Sequence, residues 1–325
     1  MRKIKYVDAL NEALREEMLK DENVFIIGED IGKNGGVFGV TKNLWEEFGD
    51  KRVRNTPISE AGFIGCGLGA AVTGLRPVVE LMYQDFALVA MDQIVNQVAK
   101  IRYMFGGKAK VPMVIRMQGG AGAGDAAQHS QSIEVFFAHV PGLKVVIPST
   151  AYDAKGLLKA SIREDNPVIF IEHQMLYATE GQVPEEEYEI ELGKADVKKE
   201  GKDVTVVSWS YQLHYVLQAA EELMQEGISV EVIDPRTIKP LDIDTILKSI
   251  EKTGKLLIVH QACKTGGYAG EIIAQVVEKG FYNLDAPVKR LGAHDTPVPY
   301  NESLEKAQFP SVEEIKEAIR ELCSE

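Results

Sequence analysis

Val204-Thr205-Val206-Val207, then the helical stretch Gln212 to Glu226 closed by Gly227, then Ile228-Ser229-Val230-Glu231-Val232-Ile233, is the run that decides the fold. Two short β-branched runs flank a segment long enough to be a crossover helix, the pattern of two parallel strands in one sheet. The beat continues toward the C-terminus: Ile243 to Lys252 is a helix, Leu256 to His260 a strand, Tyr268 to Lys279 a helix, Val288 to Leu291 a strand and Val312 to Leu322 a closing helix. Strands alternating with helices of this length require a mostly parallel sheet covered on both faces.

Toward the N-terminus the same alternation recurs. Tyr6 to Lys20 is an amphipathic helix, Val24 to Ile27 a strand, Thr41 to Phe48 a short helix and Arg76 to Met82 a strand. A long helix is expected through Ala90, Ile94, Val98 and Ile101. Val111 to Met117, Leu143 to Ile147 and Val168 to Glu172 are strands, with a helix over Tyr152 to Ile162. The fold class is therefore α/β, with two doubly wound, mostly parallel-sheet domains. The first covers 1–185 and the second 203–325. The linker between them, 186–202, lies in a charged stretch that includes Pro184-Glu185-Glu186-Glu187 and Lys198-Lys199-Glu200-Gly201-Lys202.

A chain of 325 residues, 45% hydrophobic and 26% charged, is long enough for two real cores. Its formal charge of -13 argues against a nucleic-acid or anionic-membrane partner, because both need a positive footprint. Cys66, Cys263 and Cys323 are far apart and offer no zinc spacing, which suits a reducing compartment. Neither a signal peptide nor a membrane span is expected, and the cytoplasm is the default location.

Chemistry concentrates in a few places. Thr56-Pro57-Ile58-Ser59-Glu60 runs into the small-residue stretch Ala61-Gly62-Phe63-Ile64-Gly65-Cys66-Gly67-Leu68-Gly69, putting one carboxylate at a helix start. Glu60 either caps that helix or, walled in by Ile58, Phe63 and Ile64, trades a proton near neutral pH. Gly28-Glu29-Asp30 brings two acids to a strand end, where open α/β sheets hold ligands, and a solvated turn is the competing reading. Met82, Tyr83 and Phe86 form either core or a flat wall for a heteroaromatic ring.

Gly122, Gly124 and Ala127 imitate a dinucleotide fingerprint after a strand, but the next strand ends in Pro148-Ser149 with no acid for a ribose. The glycines instead make a turn that delivers Gln128-His129-Ser130 to a mouth. His129 is a candidate general acid/base or oxyanion donor. In the turn Ser161 to Pro167 the backbone carbonyls cannot all pair internally, so it faces water or wraps a cation.

The chain resembles, along nearly its whole length, the β subunit of the thiamine-diphosphate-dependent E1 component of 2-oxo acid dehydrogenase complexes. The resemblance is carried by Thr56-Pro57-Ile58-Ser59-Glu60, Gly74-Leu75-Arg76-Pro77, Met91-Asp92-Gln93-Ile94, Ala126-Ala127-Gln128-His129-Ser130, Asp234-Pro235-Arg236-Thr237-Ile238-Lys239-Pro240 and Pro297-Val298-Pro299-Tyr300. Within that family Gly106 to Met113 and Ile171-Glu172-His173 look most like the acetoin dehydrogenase branch, with pyruvate and branched-chain enzymes close behind.

The resemblance implies a pyrimidine-binding domain followed by a transketolase C-terminal-like domain. It implies that Glu60 hydrogen-bonds N1′ of the cofactor's aminopyrimidine, that Glu29 belongs to the same half-site, and that Met82 and Phe86 lie beside the ring. His129 is implied near the reacting carbonyl and the incoming lipoyl group, and the backbone carbonyls of Met113, Ser161, Ile162, Glu164 and Asn166 around a structural potassium ion. No Gly-Asp-Gly motif occurs. The diphosphate and its magnesium are therefore expected on a separate α subunit, in an α2β2 heterotetramer that passes its acyl group to a lipoyl-bearing E2. Gly62, Gly65 and Gly69 are expected where helices cross closely. A transketolase-like transferase subunit and a purely scaffolding role are the alternatives.

Overall fold

The computed structural model describes residues 1–324. Two compact units emerge: Met1–Gly119 with Phe136–Leu192, and Gly120–Val135 with the chain from Gly193 on. The sequence reading kept 120–135 in the first domain, whereas these residues group with the second unit, whose side chains hold their backbone.

In the first unit the strands are β1 (Arg2–Lys5), β2 (Val24–Glu29), β3 (Val53–Thr56), β4 (Arg76–Met82), β5 (Val114–Gly119), β6 (Lys144–Val146), β7 (Val168–His173) and β8 (Glu180–Val183). Six of them form a parallel sheet in the order β6-β7-β5-β4-β2-β3. Strands β1 and β8 pair antiparallel as a separate ribbon. The middle strands are buried along their whole length, which is why they carry mostly apolar runs rather than alternation, interrupted in β5 by Arg116.

The helices begin with α1 (Tyr6–Lys20), α2 (Leu44–Phe48) and α3 (Glu60–Val72). From β2 the chain moves to the edge strand β3 and then returns through α3 to β4 on the other side of β2. That reversal makes the carboxyl ends of β2 and β4 a topological switch point, the place where such sheets leave a crevice.

The expected long helix after Tyr83 is broken. Gln84–Ala90 is a 3₁₀ segment, Asp92–Val98 is wound as a π-helix, and only Ile101–Met104 (α4) is α-helical. The looser winding shows in the bond from Ala99 N–H to the Ile94 carbonyl, five residues back, at 3.0 Å. Apolar periodicity alone does not distinguish these windings.

Two further helices of this chain are α5 (Glu134–Ala138) and α6 (Ala151–Arg163). Helix α6 starts on Thr150, whose hydroxyl accepts from Asp153 N–H, and it lies against α1 through an ion-pair ladder. Lys155 meets Glu12 and Glu16 at 2.9 and 2.6 Å, Lys159 meets Glu16 at 2.6 Å, and Arg163 grips Glu17. Both lysines are buried because each ammonium has a carboxylate to replace water.

The second unit adds β9 (Asp196–Lys199), β10 (Val204–Ser208), β11 (Val230–Asp234), β12 (Thr237–Lys239), β13 (Leu256–Cys263) and β14 (Lys289–Ala293). Its sheet has the order β14-β13-β10-β11-β9, parallel except for β9. Around it run α7 (Ser210–Met224), α8 (Ile243–Thr253), α9 (Ala269–Gly280), α10 (Glu302–Lys306) and α11 (Val312–Ser324). Helix α8 shows sequence-readable ends: Asp242 accepts from Thr245 N–H, and Gly254 closes it in the left-handed region. Val206, Val216, Leu223, Val232, Leu257 and Ile319 fill one side of the core. The α/β architecture with two mostly parallel sheets is the one that the alternation predicts.

Candidate functional site at the switch point of the first sheet

Glu29 ends β2 and Glu60 begins α3, and both are 8% exposed. Burial, the neighbouring Glu60 charge and that of Asp30 push the Glu29 carboxyl up to about 7. Its Oε1 is buried and has no hydrogen-bond partner. Gly28 is required just before it, because a Cβ there would lie 2.5 Å from the Glu80 carbonyl oxygen on β4. Around Glu60, Phe63 and Ile64 are buried as expected, but Ile58 is 81% exposed and walls nothing in. The chain bends at Ile58, between β3 and α3, with its side chain outside. Ser59, at the cap position of α3, makes no side-chain capping bond.

Met82 ends β4 beside this crevice, and its peptide bond to Tyr83 is cis. Tyr83 packs edge-on against Phe86 and Phe38, at centroid distances of 6.5 and 5.8 Å, and Phe38 lies 5.2 Å from Tyr177. Of Met82, Tyr83 and Phe86, read as either core or a flat wall, the two rings thus belong to an edge-on aromatic cluster with two members, Phe38 and Tyr177, that the sequence reading missed. Phe38 left a signal, an aromatic side chain inside a glycine-rich loop; Tyr177 left none.

Also missed was the cluster below. Arg116, 1% exposed in the middle of β5, binds Glu172 through Nε and Nη2 at 2.7 and 2.8 Å and Glu80 through Nη1 at 2.5 Å. Tyr177 donates its hydroxyl to Glu172 at 2.7 Å. Burial disfavours the guanidinium charge, but Glu172 and Glu80 outweigh it and hold Arg116 above the ordinary arginine range. A charged residue inside Val114-Ile115-Arg116-Met117 was the available signal.

The turn after α6 does wrap a cation, and that cation is an arginine. Arg76 Nη1 donates to the carbonyls of Ile162 and Glu164 at 3.0 and 3.3 Å, and Nη2 donates to Asp165 at 2.8 Å. Of the other carbonyls considered for potassium, that of Met113 accepts the Val168 N–H at 2.9 Å, while Ser161 and Asn166 lie in the same turn region. Among the described residues no group of His, Cys, Asp and Glu is arranged to hold a metal ion.

Gly65 and Gly69 face open space in this chain, with no atom within 4 Å of where a Cβ would stand; it is Gly67 that packs tightly, against Val79 and Met113. Within this chain no described helix crosses at Gly65 or Gly69, so their open faces are left for the partner-subunit helices of the expected α2β2 assembly. His129 belongs to the second unit, on the half-buried loop Gly120–Val135, whereas Glu29, Glu60, Met82 and Phe86 lie in the first unit, where Glu29 feels the Glu60 charge.

The first unit is thus a parallel-sheet α/β module with two buried carboxylates, Glu29 and Glu60, at its switch point. Residues 2–180 match the family described as transketolase, pyrimidine binding domain, and residues 193–315 the transketolase C-terminal domain. The solved structure titled "Split gene transketolase, inactive beta4 tetramer" superposes with a TM-score of 0.81 over 99% of this chain and 98% of its own, at 22% identity, which speaks for the fold alone. The chain is 49% identical to the acetoin:2,6-dichlorophenolindophenol oxidoreductase subunit beta of Bacillus subtilis (strain 168), covering 100% of this chain and 98% of the relative. It is 46% identical to that organism's 2-oxoisovalerate dehydrogenase subunit beta, covering 98% of each. It is 48% identical to the pyruvate dehydrogenase E1 component subunit beta of Gracilaria tenuistipitata var. liui, covering 99% of this chain and 100% of the relative.

The chain belongs to the family of E1 β subunits of 2-oxo acid and acetoin dehydrogenase complexes, and is a component of an oxidoreductase. Membership implies thiamine diphosphate as the cofactor. The residues present fit its aminopyrimidine: a buried carboxylate oxygen of Glu29 at the end of β2 lacks a partner, and the aromatic side chains Tyr83 and Phe86 follow the neighbouring strand β4. No helix among the described residues is long and apolar enough to cross a membrane.

Proposed function

We propose that this chain is the pyrimidine-side subunit of an acetoin-cleaving E1. The observation that carries the reading is the pair Glu29 and Glu60, two buried carboxylates at the switch point with no cation assigned to them and one oxygen left unpaired. Burial and the neighbouring Glu60 and Asp30 charges raise the Glu29 carboxyl to about 7, so Glu29 exchanges a proton near neutral pH. When bound, thiamine diphosphate supplies the nucleophilic carbon and electron sink for breaking a C–C bond next to a carbonyl. Glu60 would bind N1′ of the aminopyrimidine and move a proton there, Glu29 would lie in the same half-site, and Met82 and Phe86 would flank the ring and exclude water. His129 donates to, or takes a proton from, the substrate oxygen.

An α subunit carrying Gly-Asp-Gly supplies the diphosphate half and magnesium in an α2β2 tetramer. Acetoin yields acetaldehyde and a two-carbon unit, which leaves as an acetyl group on the lipoyl arm of an E2 as the lipoyl disulfide is reduced. We place the assembly in the cytoplasm. A potassium ion at the carbonyls of Met113, Ser161, Ile162, Glu164 and Asn166 must share two of them with Arg76, which the second lone pair of each oxygen permits.

Relatives named for acetoin, 2-oxoisovalerate and pyruvate match at 46–49% identity, so substrate choice is the point to measure. Co-purified with its α partner, the chain is expected to support thiamine-dependent dye reduction, with kcat/KM for acetoin at least about tenfold above pyruvate and 3-methyl-2-oxobutanoate. A preference for either oxo acid reassigns the substrate. Turnover by the chain alone overturns the divided site.

A further inference from the structure

The glycine run that imitates a nucleotide fingerprint does bind an anion, and the anion is part of the chain. Gly120, Gly122 and Gly124 have φ of 81°, 125° and 76°, and Ala126 has 61°, so left-handed residues recur along the loop and turn successive N–H groups inward. Such a concavity favours a negative charge. Here Glu305 of α10, 2% exposed, fills it: Oε1 accepts the Gly122 N–H at 2.8 Å and Oε2 the Gly124 N–H at 3.1 Å. A second side chain closes the neck. Gln261 on β13 accepts the Ala121 N–H at 3.1 Å and donates to the Ala121 carbonyl at 3.3 Å, while Ser132 donates to its Oε1 at 3.4 Å. Across that neck the Gly120 N–H reaches the Gln131 carbonyl at 3.1 Å.

The closed loop between Gly120 and Gln131 carries His129, whose own N–H turns back to the Ala126 carbonyl. We propose that Glu305 is a positioning residue for the reaction: its carboxylate, with Gln261 at the neck, sets the backbone from which His129 is presented. This inference rests on the role given to His129 above. A carboxylate suits the task because both oxygens accept charge-assisted bonds from a segment too rich in glycine to hold one shape by itself. Glu305 is in turn fixed by α10, whose first turn is capped by Asn301 through Ser303 and Leu304 N–H at 3.1 and 3.2 Å.

The test is a double-mutant cycle in the assembled α–β enzyme, read with amide hydrogen exchange of the loop. Glu305→Ala is expected to lower kcat by about 10²-fold, the cost of a misplacement on the order of 1 Å, with KM for the carbonyl substrate nearly unchanged. Glu305→Gln, which keeps one acceptor but turns an NH2 donor toward the other N–H, is expected to recover only part of that loss, and its lowered kcat at near-normal KM carries the test if the alanine variant does not assemble. In the His129→Ala background Glu305→Ala is expected to cost no further turnover, and the exchange protection of Gly122 and Gly124 is expected to vanish with Glu305 in either background. Multiplicative losses, or protection that survives Glu305→Ala, overturn the positioning role. Full turnover by His129→Ala overturns instead the reading of His129 on which it stands.

Discussion

Two pairs of acids sit on one sheet and are treated in opposite ways. Glu80 on β4 and Glu172 on β7 share Arg116, which stands between them on β5, and Tyr177 completes the set. Glu29 on β2 and Glu60 at the start of α3 have no such cation: Glu29 is pushed up to about 7 and one of its oxygens lacks a partner. Gly28, next to Glu29, pairs with Glu80 itself, so the two environments are separated by a single step along β2. Burying acids beside a guanidinium makes a rigid, charge-compensated base for the sheet. Burying acids without one costs stability and leaves a site that a basic nitrogen of a ligand can complete.

The sharpest way to break this contrast is at Glu60. Glu60→Gln keeps the shape and removes the proton carrier, so turnover of the reconstituted enzyme is expected to fall about 10²–10⁴-fold while circular dichroism and the unfolding midpoint hold. Activity within a few-fold of wild type would remove the acid from the mechanism.

At the compensated pair the effect moves from rate to stability. Arg116→Met strands Glu80 and Glu172 without their cation, and urea unfolding at pH 8 should register a loss of about 3–5 kcal/mol. If the variant unfolds with wild type, the guanidinium does not hold that part of the sheet.

Glu29 gives the smallest change, and its sign is opposite. Its carboxyl titrates at about 7 in the folded chain against an ordinary 4.5. Between those values the folded chain keeps a proton that the unfolded chain has released, so stability falls as pH rises through this window and stays lower above it. Glu29→Gln removes that loss. It should raise unfolding stability at pH 8 by on the order of 1–2 kcal/mol and leave it unchanged at pH 4. An equal gain at both pH values, or none at pH 8, contradicts the account of Glu29.

How much of this was legible depended on whether the signal was local. Val204 to Ile233 declares a strand, a helix and a strand in consecutive residues, and the family motif around Glu60 is likewise continuous, so both were readable. The winding after Tyr83 was not, because Ala90, Ile94 and Val98 have the same apolar spacing whether the backbone closes with four-residue or five-residue bonds. The Arg76 guanidinium at the Ile162 and Glu164 carbonyls bridges 86 and 88 residues, which no local pattern can announce.

The amino-acid sequence by itself determined the alternation of elements, the family and the identity of the acids, since these depend on side-chain type and on spacing along one short segment. Only the tertiary structure decided which acids receive a cation and which do not, and that Glu305, rather than a nucleotide, occupies the glycine loop. The reason is that charge compensation and backbone capture are made between segments remote in the chain, and solvation at each position is set by whatever packs over it.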